Sequence, residues 1–358
     1  MVGCATSVVQ VNGTIVDWLL EVDNPSARYL ALRDLLRRPT DDSEMEEARS
    51  AILQSAAVRA ILAAQYPAGY WVRPDRGYSP KYRSTIWQLL ILADLGAPAT
   101  DPIGRACVHV MAAALRAGRG ADRGTVAATG ALFSAHRHST GLYPCLNGDL
   151  LWVLTYFGYQ GHPIVGGVTE ALAGLVLGDG WACVRNSSRA GDRTTWQPCI
   201  WGCVKVLKGL GAAPASQRSP TVRQAIESGT AFLLAHELSR DQRPTLAQSG
   251  SQWLRFGFPL GYGSDLLEAL LTLRGLGVPP ELLPASRELS AVILEKRDET
   301  GRWRLERALP NAWAGLGALG EPNKWITLRA LAALDWLASS RITSVPDGPT
   351  HPRLLPGQ

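Results

Sequence analysis

The chain has no apolar run reaching the roughly 18 residues a membrane-spanning helix needs. Its first twenty residues lack the basic n-region and the cleavage site of a secretory signal. A cytoplasmic, reducing setting is the expectation, and there cysteines are thiols or metal ligands rather than disulfides. Charge is scarce and nearly balanced: 36 basic against 31 acidic residues give +5. So mild and scattered a surplus argues weakly for an anionic ligand and poorly for a nucleic-acid protein. There is no Gly-x-Ser-x-Gly elbow, no Walker loop and no dinucleotide-binding glycine pattern. No strand-like run stands out. None of the six cysteines falls in a Cys-x-x-Cys pair.

What is present is repetition. Five segments share one cadence: 84–98, 147–161, 199–214, 264–280 and 323–340. Each opens with small or polar residues and continues with leucines, alanines and aromatics at helical spacing. They are apolar nearly all round, so each predicts a helix buried on more than one side. The first four end in a Leu-Gly or Phe-Gly step, which reads as a left-handed glycine cap. After each of these four comes a wetter helical run, at 103–117, 163–176, 219–237 and 284–296. Gly69-Tyr70-Trp71, Gly178-Asp179-Gly180-Trp181 and Gly301-Arg302-Trp303 form a recurring junction, in which glycine turns the chain and tryptophan plugs the corner. Two amphipathic helices over 26–66 are expected at the edge of the same domain, which spans 1–341. Residues 118–146 read as a Gly-rich insertion and 342–358 as a frayed Pro-rich tail.

Alternating buried and wetter helices joined by Gly-x-Trp turns resemble the α/α-toroid of squalene and hopene cyclases and of protein prenyltransferase β subunits. The carrying segments are RYLALRDLL (28–36), YPCLNGDLLWVLTYFGY (143–159), CIWGCVKVL (199–207), FGFPLGYGSDLLEAL (256–270) and NKWITLRAL (323–331). More narrowly, the chain resembles bacterial prenyltransferase/squalene-oxidase repeat proteins. The resemblance implies an all-α closed barrel with a deep central cavity. The chain departs from the cyclases in lacking their Asp-x-Asp-Asp acid motif, and Asp-Asp-x-x-Asp is absent too.

In such a barrel Cys145, Cys183, Cys199 and Cys203 converge at one rim, where four thiolates suit a tetrahedral zinc. Prenyltransferase β subunits take a zinc-binding cysteine from the start of a corresponding helix, and Cys199 matches it. The His-x-Cys common in related repeats is here Gln197-Pro198-Cys199, which leaves the fourth ligand open. His136 and His138 are outside candidates. The alternative is that these cysteines are small buried hydrophobes.

Cys145, Asp149, Trp152 and Tyr156 follow one helical stripe. Trp201 joins them from the next repeat, and Trp253, Phe256, Phe258 and Tyr262 lead to Asp265. Aromatic faces stabilise cations, and an apolar pocket raises a carboxyl pKa until it can donate a proton. Asp265 and Asp149 are therefore candidate acids and the aromatics candidate substrate contacts, although Asp265 also reads as a helix N-cap. Lys205, Lys324 and Arg329 lie on apolar helices and are candidates for a diphosphate. Three functions follow: a terpene-cyclase-like enzyme acting on a hydrophobic isoprenoid-type molecule by proton-initiated cyclisation or isomerisation; a zinc-dependent prenyltransferase-like transferase; or a non-catalytic toroid that binds lipid or protein, with structural zinc.

Overall fold

The computed structural model describes residues 13–339 apart from 76, 120–142, 177, 179, 183–197, 237, 239–249, 262, 311 and 312. Its elements are helices: α1 (Gly13–Leu19), α2 (Pro25–Leu30), α3 (Ser43–Ile52), α4 (Ala56–Ala63), α5 (Thr85–Asp94), α6 (Asp101–Arg119), α7 (Pro144–Tyr156), α8 (Pro163–Gly174), α9 (Ile200–Gly211), α10 (Pro220–Ala235), α11 (Leu266–Gly275), α12 (Ser286–Leu294) and α13 (Lys324–Ala338). Extended pairing among the described residues is confined to isolated bridges. The chain is all-α.

The five apolar runs are α5, α7, α9, α11 and α13, and each packs on the next. Their burial is nearly all-round: every residue from Thr85 to Ala93 is buried in α5. The wetter runs lie outside them, with α6 on α5, α8 on α7, α10 on α9 and α12 on α13. The N-terminal segment departs from expectation. Instead of an edge, α2 and the π-helical turn that continues it (Ala31–Leu35) form a sixth inner element packed on α13. Ser26 ties the seam: its Oγ donates to Leu95 O at 2.6 Å and accepts from Trp325 Nε1 at 3.2 Å. Ser26 on α2 thereby contacts both the end of α5 and α13, the first and last of the five apolar runs. The expected second helix breaks in two, because Ser55 caps a new start by accepting from Val58 N. The glycine caps hold for Gly96, Gly158 and Gly277, with φ of 75°, 91° and 77°. Gly211 is the exception; it ends α9 in helical conformation.

The Gly-x-Trp junctions repeat atom for atom. Trp71, Trp181 and Trp303 each donate their indole N–H, at 2.7 Å, to a carbonyl in the last turn of an outer helix: Ile61, Leu172 and Ile293. Each of those carbonyls also accepts the backbone N–H three residues on, from Ala64, Leu175 and Lys296, so the indole fills its second acceptor site in the tightened last turn. The backbone N–H of each tryptophan donates to a side chain on the next inner helix: Thr85 Oγ1 (3.1 Å), Cys203 Sγ (3.3 Å) and Thr327 Oγ1 (3.0 Å). Cys203 therefore fills a slot that threonine fills in two sister repeats. Cys203→Thr is expected to keep stability within about 1 kcal/mol, whereas Cys203→Val should cost about 1–3 kcal/mol by stranding the Trp181 N–H. Thermal melts with zinc analysis check this. Equal losses in both variants, with zinc released, would instead mark the sulfur as a ligand.

Candidate functional site

Inner helices meet across very little space where α7 faces α9. A Cβ on Gly148 would fall on the backbone of Lys205, and one on Gly209 would stand 2.6 Å from Gly148 O. This approach puts the residue after Gly148, Asp149, beside Lys205. Lys205 Nζ lies 3.1 Å from Asp149 Oδ1 and donates to Glu268 Oε1 on α11 at 2.9 Å. Lys208, one turn on, donates to the same Oε1 at 3.0 Å and sits 3.8 Å from Asp94 Oδ1 at the end of α5. Arg329 on α13 donates to Asp94 Oδ1 at 3.1 Å. Every repeat-derived inner helix thus contributes to one chain of charge, running Asp149, Lys205, Glu268, Lys208, Asp94, Arg329.

Its deepest members are 1%, 2% and 6% exposed (Asp149, Lys205 and Glu268), so burial decides their protonation. Burial pushes Asp149 up to about 7, against the pull of Lys205 and with help from the Glu268 charge. Burial also works to raise Glu268, but Lys205, Lys208 and Arg329 outweigh it and hold the carboxyl below its ordinary range. Burial opposes the Lys205 charge, and the Asp149 and Glu268 carboxylates restore it and raise its pKa. Two carboxyls sharing one lysine are thereby driven apart. Asp149 Oδ2 and Glu268 Oε2 are buried without a hydrogen-bond partner.

This chain forms the floor of a cavity of about 620 Å³. Asp94, Lys208, Glu268 and Arg329 line it, together with Trp152, Tyr156, Trp325, Leu271 and Leu328. Lys208 Nζ stands 3.4 Å from the Trp152 ring centre. From the floor the cavity extends to where α9 and α11 end, and Arg33, Arg37 and Arg274 line it there.

The residues singled out by sequence divide across this floor. Trp152 and Tyr156 line the cavity; Asp149 lies behind its floor. Asp265 is not among the lining residues. Its Oδ1 accepts from Glu268 N at 2.9 Å and its Oδ2 from Gly257 N at 3.0 Å, so both oxygens hold backbone. Asn323 is its counterpart on α13, capping Ile326 N and donating to Leu316 O. Burial raises Asp265 against the Arg307 charge and these two N–H groups. Phe258 stacks on the cavity residue Trp325 at 4.7 Å and 7°, behind it. Phe256 takes part in a separate surface hollow with Lys296 and Glu306. Trp253 donates its indole N–H to Leu238 O at 2.8 Å, and Trp201 is half-buried outside the lining. Tyr262 lies outside the described residues. Lys324 is drawn away to Glu21 and Asp23, at 2.9 and 2.8 Å.

Of the four cysteines, Cys183 lies outside the described residues, as do His136 and His138. A Cβ on Gly202 would meet Pro144 at 2.8 Å, so the helix starts bearing Cys145 and Cys199 adjoin. Cys203 Sγ is engaged by Trp181 N–H. Among the described residues no three His, Cys, Asp or Glu side chains form a group able to hold a metal. The same residues contain no helix long and apolar enough to cross a membrane.

Glu268, Lys208 and Asp94 are the residues that sequence reasoning passed over. Glu268 lies in the first turn of α11, where the helix dipole is reason enough for an acid. The signal that could have found it is Lys205 on an otherwise apolar helix, since a buried lysine demands a carboxylate.

No family model matches the chain, and no curated protein matches it. Among solved structures it is similar to two of the type II terpene cyclase MstE from Scytonema. One is in complex with geranylgeranyl dihydroxybenzoate (substrate), the other with merosterolic acid A (product). Each is 13% identical and covers 81% of this chain and 96% of its own; the TM-scores are 0.33 and 0.34. A likeness of that extent places no residue of the site.

Proposed function

We propose that the chain is an enzyme acting on a hydrophobic, isoprenoid-type small molecule by proton-initiated cyclisation or isomerisation. The observation that carries the reading is the buried line Asp149, Lys205, Glu268 ending at a cavity walled by Trp152, Tyr156 and Trp325. Lys205 passes a proton to Glu268 and takes one from Asp149. The lysine stays an ammonium, Asp149 becomes a carboxylate, and Glu268 becomes the acid. A carboxyl held below its ordinary range is, once protonated, a strong acid, which an alkene requires. Proton transfer to the alkene leaves a carbocation, which the aromatic faces stabilise. Attack by a second alkene closes a ring, and loss of a proton from a neighbouring carbon to Glu268 completes a net isomerisation.

The test is incubation with a panel of prenyl compounds in D2O, with product masses read for incorporated deuterium. Asp149→Asn and Glu268→Gln, if folded, are expected to lower turnover by about 10²-fold or more. Undiminished turnover in both would remove carboxyl catalysis; saturable binding without turnover would favour the non-catalytic toroid.

Zinc at Cys145, Cys183, Cys199 and Cys203 remains a separate proposal, supported by the adjoining helix starts of Cys145 and Cys199. The described residues do not assemble a ligand set, so no step is routed through it.

A further inference from the structure

The end of the cavity away from its floor has too many cations for its carboxylates. Arg33, Arg37 and Arg274 line it. Arg33 Nε pairs with Asp34 at 2.6 Å, and Arg37 Nη2 with Asp335 at 2.7 Å. Arg274 has carbonyls only: Nη1 donates to Ala332 O at 3.2 Å and Nη2 to Asp34 O at 3.1 Å. Burial, and then the Arg37 charge, lower the pKa of Arg274 against the Asp335 and Asp34 carboxylates.

The backbone that holds them is costly as well. Arg33 sits in the π-helical turn Ala31–Leu35, and π-turns recur at functional sites. Arg37 has φ 52°, a left-handed conformation that a long side chain adopts at a cost. Two of the three cations thus sit on a costly segment, each with one carboxylate, and the third, Arg274 on α11, has none, so a further anion among them would be favourable. Guanidinium forks match the oxygens of phosphate and carboxylate.

We infer that Arg33, Arg37 and Arg274 bind an anionic head group, a phosphate ester or a carboxylate, while the apolar tail runs past Trp152, Leu271 and Leu328 to the floor. This rests on the isoprenoid reading for the tail but not for the head. It also orders the substrate: the double bond nearest Glu268 is the one farthest from the head group.

Calorimetric titration with farnesyl phosphate, farnesoate, farnesol and inorganic phosphate tests it. At least one farnesyl anion should bind about tenfold or more tightly than farnesol, and less tightly as salt rises. Whichever anion binds tighter identifies the head group. Arg37→Gln, on an exposed side chain, and Arg274→Gln should each weaken the anion about tenfold and leave farnesol unchanged. Farnesol binding as tightly as both anions, or variants weakening all ligands alike, would overturn the inference. Binding of inorganic phosphate that depends on Arg37, with no farnesyl compound bound, would uphold the anion site and remove the isoprenoid reading.

Discussion

Lys205→Ala is expected to destabilise the protein by about 3–5 kcal/mol, the usual cost of removing one partner from a buried ion pair. The lysine is 2% exposed and stands between Asp149 and Glu268. Without it Asp149 keeps its proton, but Glu268 is left with Lys208 and the Arg329 charge, and a void opens between α7, α9 and α11. Lys205→Met, with Asp149→Asn and Glu268→Gln, should recover most of the loss, because a neutral cluster of similar volume has no charge to strand. Denaturant unfolding of the two variants provides the comparison. Similar losses in both would show that packing alone, and not the charge chain, is at stake.

Gly148→Ala should destabilise by about 2 kcal/mol or more, although alanine is ordinarily the better helix former by about 1 kcal/mol. The sign turns on space. The new methyl would fall on the Lys205 carbonyl and the Val206 nitrogen, which are backbone atoms and cannot turn aside. α7 and α9 would have to part, and Asp149 would move off Lys205 with them. Gly166→Ala on α8, where a Cβ would meet nothing within 4 Å, supplies the opposite case. There the same substitution should stabilise by a few tenths to about 1 kcal/mol. Paired melting curves would show the two signs; a gain at both positions would contradict the close approach.

The helical cadence was legible because it is local. Leucine spacing, N-capping residues and glycine steps each act within one or two turns, and α5, α7, α9, α11 and α13 fall where they point. The tryptophan junctions were legible for the same reason. α2 was misread as an edge because its partners, Leu95 and Trp325, are 69 and 299 residues away from Ser26. The charge chain was hidden for a similar reason: Glu268 on α11 meets Lys205 across 63 residues. Read alone, Lys208 and Asp94 are ordinary helix-end charges. Stripe reasoning from Asp149 reached Trp152 and Tyr156 on the same helix, and ended there. It could not show that Asp265 turns both oxygens to backbone.

The account depends on a proton held at Asp149. Its pKa in the folded protein is about 7, against about 3.9 in the unfolded chain. The folded state therefore binds this proton more tightly, and the stability it contributes is present at low pH and lost as pH rises through 7. Infrared difference spectra, recorded across that range on the wild type and on Asp149→Asn, read the carboxyl C=O stretch directly. The account predicts one protonated carboxyl that disappears near pH 7 in the wild type and is missing from Asp149→Asn. A wild type with no carboxyl titrating there, or a variant that keeps the band, would contradict it.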